Sequence, residues 1–301
     1  MIAELHRSFG PSQIRGAKST GGNLVSFNEQ AYESFGKSQG YNSPIGVQSA
    51  FYYATALNYL LRPDSSQRIQ VGDATTVFWA AQPDHPMETL MESLFGEPPK
   101  DDPDRGVRTV EALFKAPQTG TLPLQEDHTR FFVLGLSPNA ARISVRFWHA
   151  TTVGELARNI QKHFEDISIC HAPYEKDYPS LFRLLVAAAV QGKSENIPPN
   201  LAGVVMKSIL EGTPYPRALL ATVLSRARAE QAKKDQKGRS APNVSQPRAA
   251  LIKACLNRHT RRFQPHEKEV TVSLDETNHN TGYLLGRLFA VLERTQEEAN
   301  P

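Results

Sequence analysis

Between Ile14 and Pro44 the chain reads IRGAKSTGGNLVSFNEQAYESFGKSQGYNSP, a run crowded with carboxamides, hydroxyls, glycines and lysines and poor in aliphatic periodicity. Two chemistries suit it. Turned inward, Asn28, Gln39 and Asn42 would bond backbone groups of their own irregular loop. Turned outward, the same amides, with Asn23, Ser19 and Ser26, would meet base edges, where Asn and Gln can make paired bonds to adenine. Arg15, Lys18 and Lys37 would then hold phosphates and fix the register. Glycines at 16, 21, 22, 36 and 40 would let backbone approach a groove closely.

A second candidate is a concentration of positive charge. Residues 207–262 hold 13 basic against 3 acidic residues, whereas residues 1–200 hold 18 basic against 21 acidic. The basic set is Lys207, Arg217, Arg226, Arg228, Lys233, Lys234, Lys237, Arg239, Arg248, Lys253, Arg258, Arg261 and Arg262. In the helix expected from Gln246 to Arg262 the apolar stripe is Leu251, Ile252, Cys255 and Leu256, with Arg258, Arg261 and Arg262 on a neighbouring face. Arg226 and Arg228 similarly bracket Leu219, Leu220, Val223 and Leu224. Such a surface suits the backbone of a displaced single strand, read through charge; a solvated helical face is the plainer alternative.

Other chemistries find less support. Gly16-Ala17-Lys18-Ser19-Thr20 has Ala where a phosphate-binding loop needs Gly before Lys. The nine histidines form no i, i+4 zinc pair, and adjacent Cys170 and His171 do not by themselves make a nucleophile and its base. No Gly-x-Ser-x-Gly elbow appears and no carboxylate pair stands out. Neither a metal nor a cofactor is expected, and no catalytic residue is assigned.

The 301 residues, 40% hydrophobic and 22% charged, suffice for a sizeable core or two domains. Two cysteines are too few for a disulfide framework and fit a reducing cytoplasm. MIAELHRSFG lacks the apolar core of a signal peptide, and no stretch approaches the roughly 20 apolar residues that span a bilayer. No membrane partner is therefore expected.

The elements that must position these residues follow from periodicity. Val47 to Leu61 predicts a buried helix ended by Arg62-Pro63, and Ala74 to Ala81 a strand. Short helices are expected at Met87 to Phe95 and Val107 to Phe114, and a loop around Asp101 to Asp104. Arg130 to Leu136 and Arg142 to Trp148 predict a hairpin turning at Ser137-Pro138-Asn139; in its second strand Ile143, Val145 and Phe147 would line one face and Arg142, Ser144 and Arg146 the other. Thr151 or Thr152 caps a helix through Phe164, with Glu155 completing a capping box if Thr152 is the cap. Helices follow at Ser180 to Gln191, Asn200 to Leu210, Pro216 to Lys234, Gln246 to Arg262 and Asn280 to Glu298, with a mobile loop over Gln231 to Pro247 and a short strand at Val270 to Leu274. The last helix, with Leu284, Leu285, Leu288, Phe289 and Leu292 and glycines at 282 and 286, is expected to pack closely in the bundle. The fold class is α+β: an irregular α/β part with a small antiparallel sheet or hairpin over residues 1–172, then a helical bundle over 173–301, divided within Cys170 to Pro179.

Two blocks carry a family likeness. Gly21 to Asn28 and Ser34 to Pro44 resemble the signature of the Csd family, the large subunit of the type I-C CRISPR interference complex (Cascade). There a Gly-Ala/Gly-x-Leu-Val-Ser-Phe-Asn block precedes a Ser-Tyr/Phe-Gly-Lys-x-Gln-x-x-Asn-x-Pro block. Tyr53 to Leu61, Val77 to Ala80, Ile197 to Tyr215 and Gly282 to Glu293 look like the family too, so the likeness spans nearly the whole chain. Members are typically much longer and carry these blocks in their second half, which implies a fragment or a split subunit.

The resemblance implies a non-catalytic subunit in which guide pairing reads the target while protein reads a short flanking motif (PAM) and the duplex shape. Implied partners are the guide RNA, target double-stranded DNA and its displaced strand, the backbone, guide-end-capping and small subunits, and a recruited helicase-nuclease that cuts. The C-terminal bundle resembles the separate small subunits, and the family also makes a free copy of it by internal translation. A start at Met206 would discard a bundle helix, which favours one upstream of Ser180. The rival readings are a protein-only scaffold and a hydrolase whose Ser, His and Asp meet only in the fold.

Overall fold

The computed structural model describes residues 1–97, 108, 110–111, 124–175, 177–231 and 244–299. The fold is α+β, with a six-stranded sheet and eight α-helices among the described residues. The strands are β1 (Ser8–Phe9), β2 (Gly22–Asn23), β3 (Arg68–Val71), β4 (Ala74–Ala80), β5 (Arg130–Asn139) and β6 (Arg142–Thr152), in the order β1-β2-β6-β5-β4-β3. All pairings are antiparallel except β2 with β6, which are parallel through Asn23 opposite Arg142. The helices are α1 (Val47–Leu60), α2 (Pro86–Phe95), α3 (Val153–Ile167), α4 (Leu181–Ala188), α5 (Pro199–Glu211), α6 (Arg217–Ala229), α7 (Gln246–Phe263) and α8 (Thr281–Ala299).

Both sheet faces are used, which the alternation of β4 makes possible: Phe78 and Ala80 point to one side, Val77 to the other. On the helix side Phe78, Phe131, Val133 and Phe147 join Leu156, Ile160, Leu184, Val205, Leu219 and Leu251 in one large core. On the loop side Val77, Leu136 and Ile143 meet Leu57, Leu60 and Leu61 of α1 and its C-cap, together with Phe9 and Ile14. The large core draws on residues from both sides of positions 172 and 173, because α3 packs against α7.

The hairpin differs from expectation in two ways. Both strands extend to a tight turn at Ala140-Ala141, with φ +53° at Ala140, so Pro138 lies within β5 opposite Ile143. A bulge also shifts the register, Gly135 facing Phe147 while Leu136 faces Val145. Ile143 and Phe147 are therefore buried on opposite sides, and Val145 is 54% exposed rather than part of a continuous apolar face.

Local chemistry explains the helix boundaries. Thr152 caps α3, its hydroxyl accepting the Glu155 N–H, while the Glu155 carboxylate accepts from Thr151 rather than closing a capping box. Ser180 caps α4, and Gly212 ends α5 in the left-handed region at φ +65°. Of α1 only Ala54, Leu57 and Leu60 are buried, so it is half-buried, with Phe51, Tyr52 and Tyr59 exposed. Val270 to Leu274 forms no strand: Asn257 of α7 bonds both backbone groups of Val270, and Val272 accepts the Cys170 N–H.

The last helix corrects a further expectation. Leu284, Leu285, Leu288, Phe289 and Leu292 are between 42% and 68% exposed, so α8 lies outside the core. A Cβ on Gly286 would meet nothing within 4 Å, and that glycine serves no close approach. Of the helix expected at Val107 to Phe114 only residues 108, 110 and 111 are described, with Val110 in the large core. The acidic run 101–104 and most of the loop 231–247 lie outside the described residues.

Candidate nucleic-acid interface

The glycine-rich loop is built against the N-terminus and the loop side of the sheet. Gly40 donates its N–H to the Glu4 carbonyl at 3.0 Å, and a Cβ there would collide with the carbonyl oxygens of Ala3 and Glu4. Only glycine allows this approach. Ala3 in turn donates to Ile45, and the Arg15 N–H reaches the Thr75 hydroxyl at 3.2 Å, which ties the loop's start to β4. No helix follows Lys18, as a phosphate-binding loop would need; the chain turns into β2 instead.

Asn42 takes the inward role. Its Oδ1 accepts the Ser34 N–H at 2.9 Å and its Nδ2 donates to the carbonyls of Lys37 and Gln39 at 2.8 and 3.1 Å. Asn23 donates to the His6 carbonyl from within β2. Asn28 Oδ1 accepts from Arg142 Nη2 at 3.4 Å, and that guanidinium lies 4.0 Å over the Tyr32 ring, so the hairpin holds the loop's middle. Ser26 and Gln39 are half-buried, and Gln39 adopts φ +46°. Exposed along with Asn28 are Ser19 and the cations Arg15, Lys18 and Lys37, the three cations in no ion pair among the described residues.

The loop's base borders a cleft of about 640 Å³ lined by Arg15, Gly16, Gln70, Asp73, Glu97 and Glu195 among others. Arg146, displaced by the bulge, bonds Asp73 at 2.6 Å. Of the cleft's carboxylates Asp73 is thus matched by Arg146, and Glu195 is matched by Lys193 at 3.9 Å.

In the bundle the structure separates the basic residues into three groups. Arg248, Lys253 and Arg258, expected on an exposed face, are buried. Arg248 pairs with Glu230 at 3.0 Å and donates to the Ala187 carbonyl, and Lys253 donates to the carbonyls of Glu165 and Asp166. Arg258 donates to Asp166 at 2.7 Å and to the carbonyls of Ser208 and Thr213, with its guanidinium 4.3 Å from the centre of the Tyr215 ring. Arg261 bridges Asp166 and Glu269; although burial opposes it, those two carboxylates push its pKa up. Arg258 and Arg261 tie α3, α5 and α7 together, the Arg258 Nε and Nη1 donors being matched while its buried Nη2 has no hydrogen-bond partner among the described residues.

Arg217, Arg228 and Arg262 are exposed and Arg226 half-buried, none in an ion pair among the described residues, whereas Lys207 pairs with Glu211 at 3.8 Å. Lys233, Lys234, Lys237 and Arg239 lie outside the described residues.

His163 is buried beside this network, Nδ1 lying 2.5 Å from the Tyr215 hydroxyl; burial, aided by Arg258, lowers its pKa to about 3. Burial pushes the Cys255 thiol up to about 12 and raises the Tyr215 phenol. These groups are held neutral inside the bundle and do not face solvent. Cys170 is exposed; its neighbour His171 faces the Ala172 carbonyl and Asp177 through its two ring nitrogens. No group of three or more potential metal ligands occurs among the described residues, and no described helix is long and apolar enough to cross a membrane.

One feature escaped the sequence reading. Trp79 on β4, Phe132 on β5 and Trp148 on β6 form an aromatic cluster on the loop side of the sheet, with the Arg130 guanidinium 5.1 Å from the Phe132 ring centre. Its signal was Arg130 and Phe132 at alternate positions of one expected strand, with Trp79 and Trp148 on the strands either side of it.

A family model described as CRISPR-associated protein (Cas_Csd1) matches residues 1–301 of the chain. No curated protein matches it.

Proposed function

Because the chain belongs to the Cas_Csd1 family of CRISPR-associated proteins, we propose that it is a non-catalytic large subunit of a type I-C RNA-guided surveillance complex. In that role it contributes to recognition of the flanking motif and target duplex, steadies the displaced strand, and offers a docking surface to the helicase-nuclease. Its other partners are the guide RNA and the backbone, guide-end-capping and small subunits, in the cytoplasm.

The observation that supports this reading best is the loop from Arg15 to Asn42. Its own amides, Asn42 above all, brace its backbone, and Arg15, Lys18 and Lys37 project from it without an ion pair among the described residues. Cations on a braced loop position phosphates without a large ordering cost. Base reading would fall to the half-buried Asn23, Ser26 and Gln39 and to the exposed Asn28, with Ser19 reaching phosphate. In the bundle the strand-holding role rests with Arg217, Arg226, Arg228, Lys207 and Arg262, and with the cations of residues 233–239. The division at residues 172 and 173 is one of function, since the core is shared.

The test is fluorescence anisotropy of a target duplex titrated with the guide-loaded assembly, with and without this chain, using correct and scrambled flanks at two salt concentrations. Tighter, flank-dependent and salt-sensitive binding supports the recognition role. A flank-independent gain would leave the strand-holding bundle alone, and no gain would remove both and favour a protein-only scaffold.

A further inference from the structure

We propose that the cluster of Trp79, Phe132 and Trp148, flanked by Arg130, is a stacking platform for unpaired bases of a single-stranded nucleic acid. This rests on the nucleic-acid reading above and adds a site and a ligand state to it.

The geometry comes from the strand register. Trp79 faces Phe132 across β4 and β5, and Trp148 faces Leu134 across β5 and β6, so all three rings emerge on the loop side. Trp79 and Phe132 lie with centroids 5.3 Å apart at 22°, Phe132 and Trp148 at 5.8 Å and 29°, and the two tryptophans at 5.7 Å and 50°. Helix α1 covers the other end of this face, over Val77, Leu136 and Ile143, and leaves Trp148 51% exposed. A structural cluster would bury its largest ring; this one turns a tryptophan outward from a rigid three-stranded base.

The cations say what covers it. Arg130 is exposed, stacks against Phe132, and forms no ion pair among the described residues. Tyr59, near the C-terminal end of α1, is exposed too, but the Arg62 guanidinium 4.0 Å from its ring centre is paired with Asp64, so Arg130 is the cation that marks the platform. An exposed tryptophan face beside Arg130, which has no ion pair among the described residues, complements a strand whose bases stack and whose phosphates carry charge. A protein partner would match the rings but leave Arg130 without a counter-charge unless it brought a carboxylate. Paired bases are also ruled out as occupants, because within a duplex they offer edges rather than faces. Stacking is sequence-tolerant, so the platform holds a strand without reading it.

The chain has two tryptophans, and both are in this cluster, so tryptophan emission excited beyond the absorption of its nine tyrosines reports on this site. The full chain would be titrated with an oligothymidylate of about ten nucleotides, within the span of one such site, and separately with a blunt duplex. The expected result is quenching of the emission by the single strand, about tenfold weaker oligonucleotide binding in Trp148→Ala, and recovery of most of that loss in Trp148→Phe. Arg130→Ala should weaken binding and flatten its salt dependence, and thermal unfolding of each variant checks that it folds. Binding of the oligonucleotide with unchanged emission, or with unchanged affinity in Trp148→Ala, would overturn the platform while leaving duplex binding by the loop intact. Loss of duplex binding in Lys18→Glu with the quenching retained would favour the platform on its own. Unchanged oligonucleotide affinity together with failed assembly of Trp148→Ala onto another subunit would reassign the surface to protein docking.

Discussion

Asp166 Oδ2 accepts the Nε–H of Arg258 at 2.7 Å, with the two side chains only 1% and 2% exposed. One carboxylate thereby organises the bundle, since its other oxygen takes Arg261 at 2.8 Å and its backbone carbonyl takes Lys253. Three of the thirteen basic residues that looked suited to a polyanion, Lys253, Arg258 and Arg261, are instead spent on holding α3, α5 and α7 together.

Breaking that pair should be costly. Arg258→Met removes one of the two cations on a buried carboxylate and leaves the Ser208 and Thr213 carbonyls without their donor, and the expected loss is about 3 kcal/mol in urea denaturation. Arg258→Lys should recover only part of it, because one ammonium cannot reach Asp166, Ser208 and Thr213 with a guanidinium's fork. A loss below about 1 kcal/mol for Arg258→Met would show the pair to be dispensable.

Exposed and buried cations of the bundle should therefore separate on charge reversal. Arg228→Glu and Arg262→Glu should leave stability within about 0.5 kcal/mol while weakening binding of a single strand and lowering its salt slope. Arg248→Glu should unfold the protein, since its partner is Glu230 at 3.0 Å. Unchanged affinity and salt slope in the first two would remove the bundle from the interface.

In the loop, Lys18→Glu and Lys37→Glu should each weaken duplex binding and reduce the salt slope by about one. Asn42→Ala should act differently. It frees the Ser34 N–H and two carbonyls, so hydrogen exchange at Ser34 should accelerate with little change in global stability.

Acid should destabilise the fold through His163. Its folded pKa of about 3 lies below the ordinary value of 6.5, so the unfolded chain binds the extra proton. The stability that neutral His163 confers is full above pH 6.5 and is lost as pH falls toward 3, at about 1.4 kcal/mol per pH unit for one proton. Burial lowers His6 and His149 too, which adds to the slope with the same sign. Denaturation at pH 7 and pH 5 should show a shallower dependence in His163→Gln than in the parent.

Gly135→Ala should strain the bulge, because the Phe147 ring occupies the space its Cβ would need. A loss of about 1–3 kcal/mol is expected. Phe147→Leu should relieve part of it, and a double-mutant cycle would measure the coupling.

Much of the architecture was legible from local pattern. The periodicity of α1, α3, α5 and α7 and the cap at Thr152 put those helices within a few residues of where they lie, and the hairpin's two strands were evident. The turn was misplaced because Pro138 reads as a turn residue, yet it is accommodated opposite Ile143. The bulge that splits Ile143 from Phe147 was not legible, since alternation presumes an unbroken register.

The family blocks, the braced loop, the unequal distribution of charge and the identity of most helices were set by the chain's own residue order, because capping, periodicity and turn chemistry act over a few neighbouring positions. Only the tertiary structure decided which basic residues face water. Arg258 and Arg262 are one helical turn apart and chemically alike, but Asp166, 92 residues earlier than Arg258, buries one and leaves the other free. Distance in sequence likewise hid the aromatic cluster, whose three rings come from separate strands. It left α8 with an apolar stripe outside the core, since amphipathicity specifies a face but not what covers it.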